Sequence, residues 1–353
     1  MKLSIISFTQ NGRVLSIKIA KLLDGMEYTL YTKYKACCQE EQTVRFVTQS
    51  IGEWAKEQFA ERNALLFIGA CGIAVRAIAP HITDKLHDSP VLVMDEKGEY
   101  VIPILSGHMG GANELAVSLA ERIGAKPVIT TATDIHNRFA IDLFAKKNGL
   151  TIVNKDGIAK VSSKVLSGKH ITMSIEHGHF EKNGKLPGEI ELVAYPPLQR
   201  VDVVVTSEKR EFDTTMLLKP KEYAVGIGCK KGKEAEKIED FIRSHLQRAG
   251  IFPLQVFGMA SIDKKRDEPG LLAWSRKEKI PFITYTAEEL WSVKGEFHKS
   301  EFVKEQVGVD NVCERAAMKM CEPGSRIIYE KHAEDGMTIA IARREWRVHF
   351  DEE

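Results

Sequence analysis

The stretch ALLFIGACGIAVRAIAP, residues 64–80, places a continuous apolar run before a glycine-containing turn and a second, mostly apolar run. The first run has no polar side chain, which is typical of a strand covered on both faces in a parallel sheet. A helix directly after such a strand follows the alternation of α/β proteins. The stretch therefore predicts an open, mostly parallel sheet with flanking helices.

The same alternation continues on both sides of this stretch, over residues 1–148. Strand-like runs such as KLSIISF alternate with helix-like runs such as GANELAVSLAERIGA. Within this region we predict one amphipathic helix at residues 44–61 and one strand at residues 126–134. Residues 1–148 are therefore interpreted as an N-terminal α/β domain with glycine-rich, anion-binding turns.

The pattern changes at residues 149–220. Short strand-like pieces, among them HITMSIE and VDVVVTS, are interrupted by loop-like segments, which predicts a small, irregular β-rich segment or linker domain. At EYAVGIGCKKG the alternation resumes, so residues 221–346 are interpreted as a C-terminal α/β domain. The expected fold class is multi-domain α/β, with open, mostly parallel sheets, flanking helices and a small β-rich middle segment.

Composition and charge indicate a globular protein. The 353 residues are 43% hydrophobic and 28% charged, and 50 basic against 49 acidic residues leave a net charge of +1. A chain this close to neutral has no overall field that favours nucleic acid or an anionic membrane. We therefore expect neither a nucleic-acid partner nor a membrane partner.

Cysteine usage and the apolar runs point to a soluble, cytoplasmic protein. The six cysteines show no CxxC spacing, which argues against a disulfide scaffold or a zinc site. The run ALLFIGACGIAV ends at Arg76 and is too short to span a bilayer. The strand-like start MKLSIISF does not have the pattern of a signal peptide.

The turn LSGHMGGANELA, residues 105–116, is the strongest candidate for a functional site. A strand leads into it and a helix begins near Ala112, where unpaired amides favour an anion. His108 can exchange a proton near neutral pH. The side chains and glycines of the turn that we single out are Ser106, Gly107, His108, Gly110, Gly111, Asn113 and Glu114. The residues alone support equally well a plain turn with a capping serine and a surface histidine.

The turn after residues 64–68 repeats this arrangement. Gly72 lies in it and Arg76 interrupts an otherwise apolar helix, where its guanidinium would suit a carboxylate. If parallel strands bring both turns to one edge of the sheet, they line a single crevice. The alternative is that Arg76 is a solvated charge on a half-buried helix.

Three further stretches carry weaker signals. VGIGCKKG departs from the GxGxxG fingerprint because its last glycine comes one residue late, so a tight turn is favoured over a nucleotide site. SIDKKRDEPG gathers Asp263, Lys264 and Lys265 after a strand, where ligand contacts are common in α/β proteins. His177 and His179 lie two residues apart without an evident third ligand, so we predict no metal site.

Taken together, these stretches resemble one family. GACGIAVRAIAP, DSPVLVMDEKGEYVIPILSGHMGGANELA and PVITTATD are similar to the N-terminal and central parts of the CbiG family, the cobalt-precorrin-5A hydrolases of anaerobic cobalamin biosynthesis. VGIGCKKG, SIDKKRDEPGL, YTAEEL and VGVDNVCERAAM resemble the C-terminal domain of that family. The order is the same over nearly the whole chain, and the resemblance is weakest in residues 1–60 and 150–220.

The resemblance implies hydrolysis of the δ-lactone on ring A of a cobalt-bearing tetrapyrrole, with release of acetaldehyde to give cobalt-precorrin-5B. The cobalt belongs to the substrate, so no protein cofactor or metal site is expected. Lactone opening needs an activated water and a stabilised oxyanion.

We assign the base to His108 or, second, to Glu114, and the oxyanion contacts to amides around Gly110 and Gly111. Ser106 is a third candidate catalytic side chain. The substrate carboxylates would meet Arg76, Lys85, Lys264 and Lys265, with the turn at 105–116 and the DKK loop facing one cleft between domains.

Two other functions use the same features. A non-catalytic carrier of tetrapyrrole intermediates would use the anion-binding turns without needing His108. A nucleotide-binding oxidoreductase would use VGIGCKKG, although the displaced glycine counts against it. The sequence also leaves open a homo-oligomer and transient contacts with neighbouring enzymes of the cobalamin pathway.

Overall fold

We analysed a computed structural model, which describes residues 2–35, 43–84, 88–136, 138–180 and 186–350. The chain divides into two compact units, Met1–Leu143 and Phe144–Glu353. Together they contain three sheets, mostly parallel and flanked by helices, which confirms the predicted α/β fold class. No helix in the described ranges is long and apolar enough to cross a membrane.

The N-terminal unit is built on a seven-stranded sheet in the order β3-β2-β1-β4-β5-β6-β7. Its described strands are β1 (Leu3–Ser7), β2 (Tyr28–Thr32), β3 (Val44–Phe46), β4 (Ala64–Ile68), β5 (Val91–Met94), β6 (Tyr100–Leu105) and β7 (Lys126–Pro127). All neighbouring pairs are parallel except β5 and β6. Every residue of β4 is buried, as expected for a central strand covered on both faces.

In the described part of this region six α-helices accompany the sheet, and the last one contains the boundary between the units. They are α1 (Gln10–Ala20), α2 (Ile51–Ala60), α3 (Cys71–Ile78), α4 (Ala112–Ile123), α5 (Ala132–Ile135) and α6 (Ile141–Lys147). The apolar faces of α1 and α4 meet the central strands in one core cluster. Trp54 of α2 packs in a second cluster with Phe67 of β4.

Two elements predicted for this unit have other bounds in the structure. The single helix expected at residues 44–61 is instead β3 followed by α2, because Ser50 and Glu53 form a capping box that starts the helix at Ile51. The strand expected at residues 126–134 is only the two residues of β7. The amide of Val128 still donates to Val101 of β6, but Pro103, the next residue on that side, has no amide to continue the ladder.

The middle of the chain forms a regular sheet in the order β10-β9-β11-β12-β8, with β8 alone antiparallel to its neighbour. Its described strands are β8 (Leu150–Ile152), β9 (Ile171–Ile175), β10 (Ile190–Val193), β11 (Val201–Val205) and β12 (Thr214–Pro220). The predicted irregularity was therefore wrong. Helix α7 (Asp156–Leu166) was not predicted, although its buried Ile158, Val161 and Val165 have helical spacing. This sheet belongs to the same compact unit as the C-terminal sheet, and a separate segment at 149–220 stays a prediction.

The C-terminal sheet has the order β15-β14-β13-β17-β16. Its described strands are β13 (Tyr223–Cys229), β14 (Val256–Ile262), β15 (Phe282–Tyr285), β16 (Arg326–Glu334) and β17 (Met337–Arg343). The helices are α8 (Ala235–Arg248), α9 (Pro269–Glu278), α10 (Ala287–Trp291), α11 (Glu301–Val307) and α12 (Cys313–Cys321). β13, β14 and β15 are parallel, whereas β17 is antiparallel to both neighbours.

The first glycine of VGIGCKKG, Gly226, is needed for helix packing. Helix α12 lies so close to β13 that a Cβ atom on Gly226 would fall 1.8 Å from the carbonyl oxygen of Cys313 and 2.8 Å from the amide nitrogen of Ala317. Both atoms belong to the backbone of one helix and cannot rotate away. The close approach of helix and strand thus explains the glycine without a ligand.

We therefore predict that Gly226→Ala lowers the free energy of unfolding of the C-terminal unit by more than about 2 kcal/mol, because the added methyl forces β13 and α12 apart. Urea titration followed by far-UV circular dichroism measures the change. Gly188→Ala is the matched control, since its Cβ would meet no atom within 4 Å, and it should stay within about 0.5 kcal/mol of the parent. Equal stabilities for the two variants would contradict the packing explanation.

Candidate active site

A cavity of about 430 Å³ opens in the N-terminal unit around the start of α4. This volume lies within the range of small-molecule sites. Its described lining residues are Gly107, His108, Asn113, Glu114, Val117, Ser118, Glu121, Ile129, Asp134 and Leu143. Four residues singled out from the sequence, Gly107, His108, Asn113 and Glu114, thus come together here.

The turn between β6 and α4 is held by its own backbone. The amides of Gly111, Ala112 and Asn113 donate to the carbonyl oxygens of His108, Ser106 and Gly107 respectively, each at 3.1 Å. The Gly111 amide, which we expected to face an oxyanion, is therefore already used in this conformation. The corresponding role of the Gly110 amide stays a prediction.

The glycines are required by close packing inside the turn. A Cβ atom on Gly107 would lie 2.7 Å from the side-chain oxygen of Asn113, and one on Gly110 would lie 2.4 Å from Cβ of Ser106. Gly111 adopts a left-handed conformation with φ of +83°. The first purpose of these glycines is thus to let the turn fold tightly enough to place His108.

Ser106 connects this turn to the segment that precedes β5. Its backbone has an unusual φ of +57°, and its hydroxyl donates to the carbonyl oxygen of Asp88 at 2.9 Å. It is not among the described residues that line the cavity. Its hydroxyl thus holds the turn in this conformation, and the catalytic role of Ser106 stays a prediction.

His108 lies between two carboxylates. Its Nδ1 is 3.3 Å from Oδ1 of Asp142, and its Nε2 is 3.1 Å from Oδ1 of Asp134. The hydroxyl oxygen of Thr133 lies 3.2 Å from the same Nε2. Only 10% of the His108 side chain is exposed, and Asp142 is buried. The imidazole is therefore fixed in orientation from both ends.

This environment raises the pKa of His108 above its ordinary value. The hydrogen bond with Asp142 is the largest cause, and the negative charges of Asp142 and Asp134 add to it, while burial opposes the shift. Because both ring nitrogens face carboxylates, both act as donors when the ring is protonated. The arrangement therefore favours the imidazolium form rather than the neutral form of a free general base.

Asp134 connects His108 to the open side of the cavity. Its side chain is 32% exposed. Besides contacting His108, it accepts a hydrogen bond from the side-chain amide nitrogen of Asn113, which also donates to Thr131 at 3.0 Å. Neither Asp134 nor Asp142 was predicted from the sequence. The sequence does contain a signal for Asp134. TTATD places polar side chains after a predicted strand, where α/β proteins carry ligand contacts. Asp142 lies in a helix-like run and had no such signal.

The cavity is acidic apart from His108. Glu114 is exposed on the first turn of α4, and Glu121 lies further along the same helix. Together with Asp134 these side chains give the described lining three carboxylates. The cavity is therefore poorly suited to bind further carboxylates, since like charges repel at this range.

Gly72 and Arg76 do not share this cavity, so the predicted common crevice was wrong. β4 and β5 are parallel, and the Gly69 amide at the end of β4 donates to Met94 at the end of β5. β6 runs antiparallel to β5, so that Leu105 pairs with Val91 at the opposite end. The turn after β4 and the turn after β6 consequently lie at opposite ends of the strands. Arg76 is exposed and donates to the carbonyl oxygen of Gly72 within α3.

The remaining candidates lie elsewhere or outside the described residues. Asp263, Lys264 and Lys265 form a short 3-10 turn after β14 in the C-terminal unit. Lys264 donates to the carbonyl oxygen of Gln306 at 2.8 Å, and Lys265 pairs with Glu268 at 3.1 Å. Their role, and a cleft shared with the turn at 105–116, stay predictions. Lys85 lies outside the described residues.

The raised pKa of His108 is directly measurable. We expect NMR titration to place it above about 6.5, and Asp142→Asn to lower it because the variant keeps the side-chain shape but removes the charge. Glu121→Gln is the matched control, since Glu121 lines the same cavity but is not among the main causes of the shift, and it should change the pKa much less than Asp142→Asn does. An equal effect of the two variants would refute the assigned cause.

The same shift predicts a pH dependence of stability. Since the folded-state pKa is raised, the stabilisation from His108 is fully present below about pH 6.5 and is lost as the pH rises through the folded-state pKa. His108→Gln should therefore cost most stability at pH 5.5 to 6 and least above that pKa. Urea titrations of both proteins across this range measure the difference. A difference that grows with pH would contradict the assignment.

Comparison with known proteins places the chain in a family. A family model described as "Cobalamin synthesis G N-terminal" matches residues 53–134, and one described as "Cobalamin synthesis G C-terminus" matches residues 223–342. The first match contains His108 and Asp134. The second contains Gly226 and the DKK turn. Both confirm the resemblance found in the motifs.

Individual relatives extend the match to nearly the whole chain. A cobalt-precorrin-5A hydrolase from Salmonella typhimurium is 31% identical over 348 residues, which cover 96% of this chain and 97% of that protein. One from Priestia megaterium is 29% identical over 357 residues, covering 96% and 94%. A solved structure of a cobalamin biosynthesis protein G homolog from Sulfolobus solfataricus is 22% identical, covers 98% of this chain and 97% of its own, and has a TM-score of 0.41. The chain belongs to the cobalamin synthesis G, or CbiG, family.

Proposed function

We propose that this protein is a cobalt-precorrin-5A hydrolase, which opens the ring-A δ-lactone of its substrate and releases acetaldehyde to give cobalt-precorrin-5B. Family membership and the shared name of two nearly full-length relatives support the substrate. The observation that carries the chemistry is His108, held between Asp134 and Asp142 at the wall of a cavity. A fixed acid–base pair at a cavity is what hydrolysis of an ester bond requires.

The reaction balances with one water molecule. The lactone carbonyl carbon takes the oxygen of water, and its bond to the ring oxygen of the lactone breaks. That oxygen stays on the two-carbon fragment and becomes the aldehyde oxygen when the carbon–carbon bond to the macrocycle breaks. The hydroxyl of the two-carbon fragment loses its proton in this step, and the conjugated macrocycle takes up the electron pair of the broken bond together with one proton. The net reaction consumes one water and releases one acetaldehyde.

The geometry assigns different tasks to His108 and Asp134. Asp134 is the partly exposed member of the pair, so its carboxylate takes the proton of the attacking water. His108, as the imidazolium, holds Asp134 in place through Nε2. Once Asp134 has taken the proton of water its negative charge is gone, and Nε2 then donates a proton or a hydrogen bond to the oxygen on which negative charge develops. Asp142 keeps His108 protonated and oriented. This assignment replaces the general-base role first given to His108.

The proposal needs no cofactor of the protein. Cobalt enters and leaves with the tetrapyrrole, and His108, Asp134 and water suffice for the proton transfers. The free thiols of Cys71, Cys229, Cys313 and Cys321 fit a reducing compartment, which supports a cytoplasmic location. The proposed partners are the tetrapyrrole and, transiently, neighbouring enzymes of the cobalamin pathway. The proposed reaction calls for neither nucleic acid nor a membrane, and a homo-oligomer stays a prediction.

Anaerobic turnover of the lactone-bearing cobalt-precorrin, with an aldehyde-specific trap, tests the function. We expect Asp134→Asn and His108→Gln each to lower kcat at least about 100-fold, because each removes one partner of the acid–base pair while keeping a similar shape. Glu57→Gln, on the exposed face of α2, is the control and should retain the parent rate. Circular dichroism verifies that the variants are folded.

The outcomes separate the competing functions. Parent-like rates in both variants would reject the assigned roles even if acetaldehyde is released. Tight binding of the precorrin by the parent protein without release would reject the hydrolase and favour a carrier of tetrapyrrole intermediates. Neither binding nor release would mean that the substrate differs from that of the named relatives.

The pH profile distinguishes the acid role of His108 from a base role. We expect kcat/KM to fall as the pH rises through the raised pKa of His108, because the imidazolium is the working form. Asp142→Asn lowers that pKa and should move the falling limb to lower pH. A profile that instead rises through the same pKa would assign the neutral imidazole as the base.

A further inference from the structure

A second cavity, of about 320 Å³, lies in the C-terminal unit and is lined by arginines. Its described lining includes Arg326, Arg343, Arg344 and Arg347, and Glu345 is the one carboxylate among these described lining residues. We call this cavity the arginine pocket. Its concentration of positive charge is notable because the chain as a whole carries a net charge of only +1.

Two of the arginines face each other across a strand pair. Arg326 begins β16 and Arg343 ends β17, and the two residues are direct partners in the antiparallel register. Side chains of such partners lie on the same face of the sheet, where like charges directly opposite are destabilising. Arg326 is exposed and has no hydrogen-bond acceptor within the described part of the chain. Glu222 already offsets part of the charge of Arg343, and an anion between the two guanidinium groups would offset the charge that remains.

Contacts within the protein already hold the guanidinium groups of Arg343 and Arg344 in place. Arg343 donates through Nε to the fully buried Glu222 at 2.7 Å. Arg344 donates through Nε and Nη2 to the carbonyl oxygen of Lys221, and its guanidinium stacks 4.0 Å from the ring centroid of Phe257. These contacts fix the orientation of both groups, so little side-chain entropy is lost when they bind an anion.

An aromatic wall completes the pocket. His179 stacks on Trp346 with ring centroids 3.9 Å apart and an interplanar angle of 3°, and its Nδ1 lies 2.8 Å from the carbonyl oxygen of Trp346. His179 is thus used in packing, although the sequence analysis weighed it as a metal ligand. A stacked aromatic surface beside guanidinium groups suits an organic acid better than a small inorganic anion, since it offers contact to the carbon skeleton.

We propose that the arginine pocket binds carboxylate groups of an organic polycarboxylate. That the natural ligand is a tetrapyrrole with acetate and propionate side chains rests on the proposed function, whereas the pocket as a carboxylate site rests on its own geometry. Arg326 and Arg343 supply the guanidinium pair that receives the carboxylate.

Uroporphyrin I, a fluorescent tetrapyrrole with eight carboxylates, is a suitable probe. Fluorescence anisotropy should show binding to the parent protein. We expect Arg326→Ala to raise the Kd about tenfold or more, and Arg326→Glu to raise it further, because a charged hydrogen bond is lost and then replaced by repulsion. Arg276→Ala, which removes an exposed arginine of α9 outside the pocket, is the matched control and should leave the Kd within about twofold.

Competition identifies the anion. Tricarballylate should displace the probe at lower concentration than inorganic phosphate does, and the reverse order would overturn the carboxylate assignment. No binding to the parent, or equal Kd values for the Arg326 and Arg276 variants, would overturn the pocket itself.

The acetaldehyde assay on the same preparations keeps the two proposals apart. Arg326-dependent binding without acetaldehyde release leaves the pocket standing and rejects the hydrolase. Acetaldehyde release together with probe binding that does not depend on Arg326 supports the hydrolase and rejects the arginine pocket.

Discussion

The antiparallel pairing of β6 with β5 is the constraint on which the candidate active site depends. It reverses the chain direction inside an otherwise parallel sheet. The turn after β6 therefore lies at the end of the sheet where β4 and β5 begin. Helix α4 then starts there, with His108 in the turn just before it. The same reversal separates Arg76 from His108. A sheet with only parallel neighbours would have brought both turns to one crevice.

The charges around His108 follow from where the turn between β6 and α4 places its side chain. His108 meets Asp142 and Asp134, and two negative charges next to one mostly buried ring favour its protonated form. A histidine in this state is a donor, so in the proposed reaction the more exposed Asp134 accepts the proton. The proposed chemistry therefore depends on a pair of residues rather than on His108 alone.

Glycine-rich stretches have different purposes in the two units. Gly107 and Gly110 allow a turn to close on its own side chains, whereas Gly226 lets a helix backbone contact a strand. The motifs look alike in sequence because both need space next to the backbone. Only the folded chain shows which atom lies next to each glycine. The arginine pocket is a similar case, since its members come from three separate stretches around residues 179, 326 and 345.

The sequence by itself determined the α/β class, the strands with continuous or alternating apolar runs, the start of α4 and the importance of the turn around His108. Periodicity and turn residues are local, so one chain segment is enough to reveal them. Tertiary structure alone decided the partners of His108, the separation of Arg76 from it and the pairing of Arg326 with Arg343. These depend on strand direction and register, which arise from contacts between residues distant in sequence and leave no local pattern.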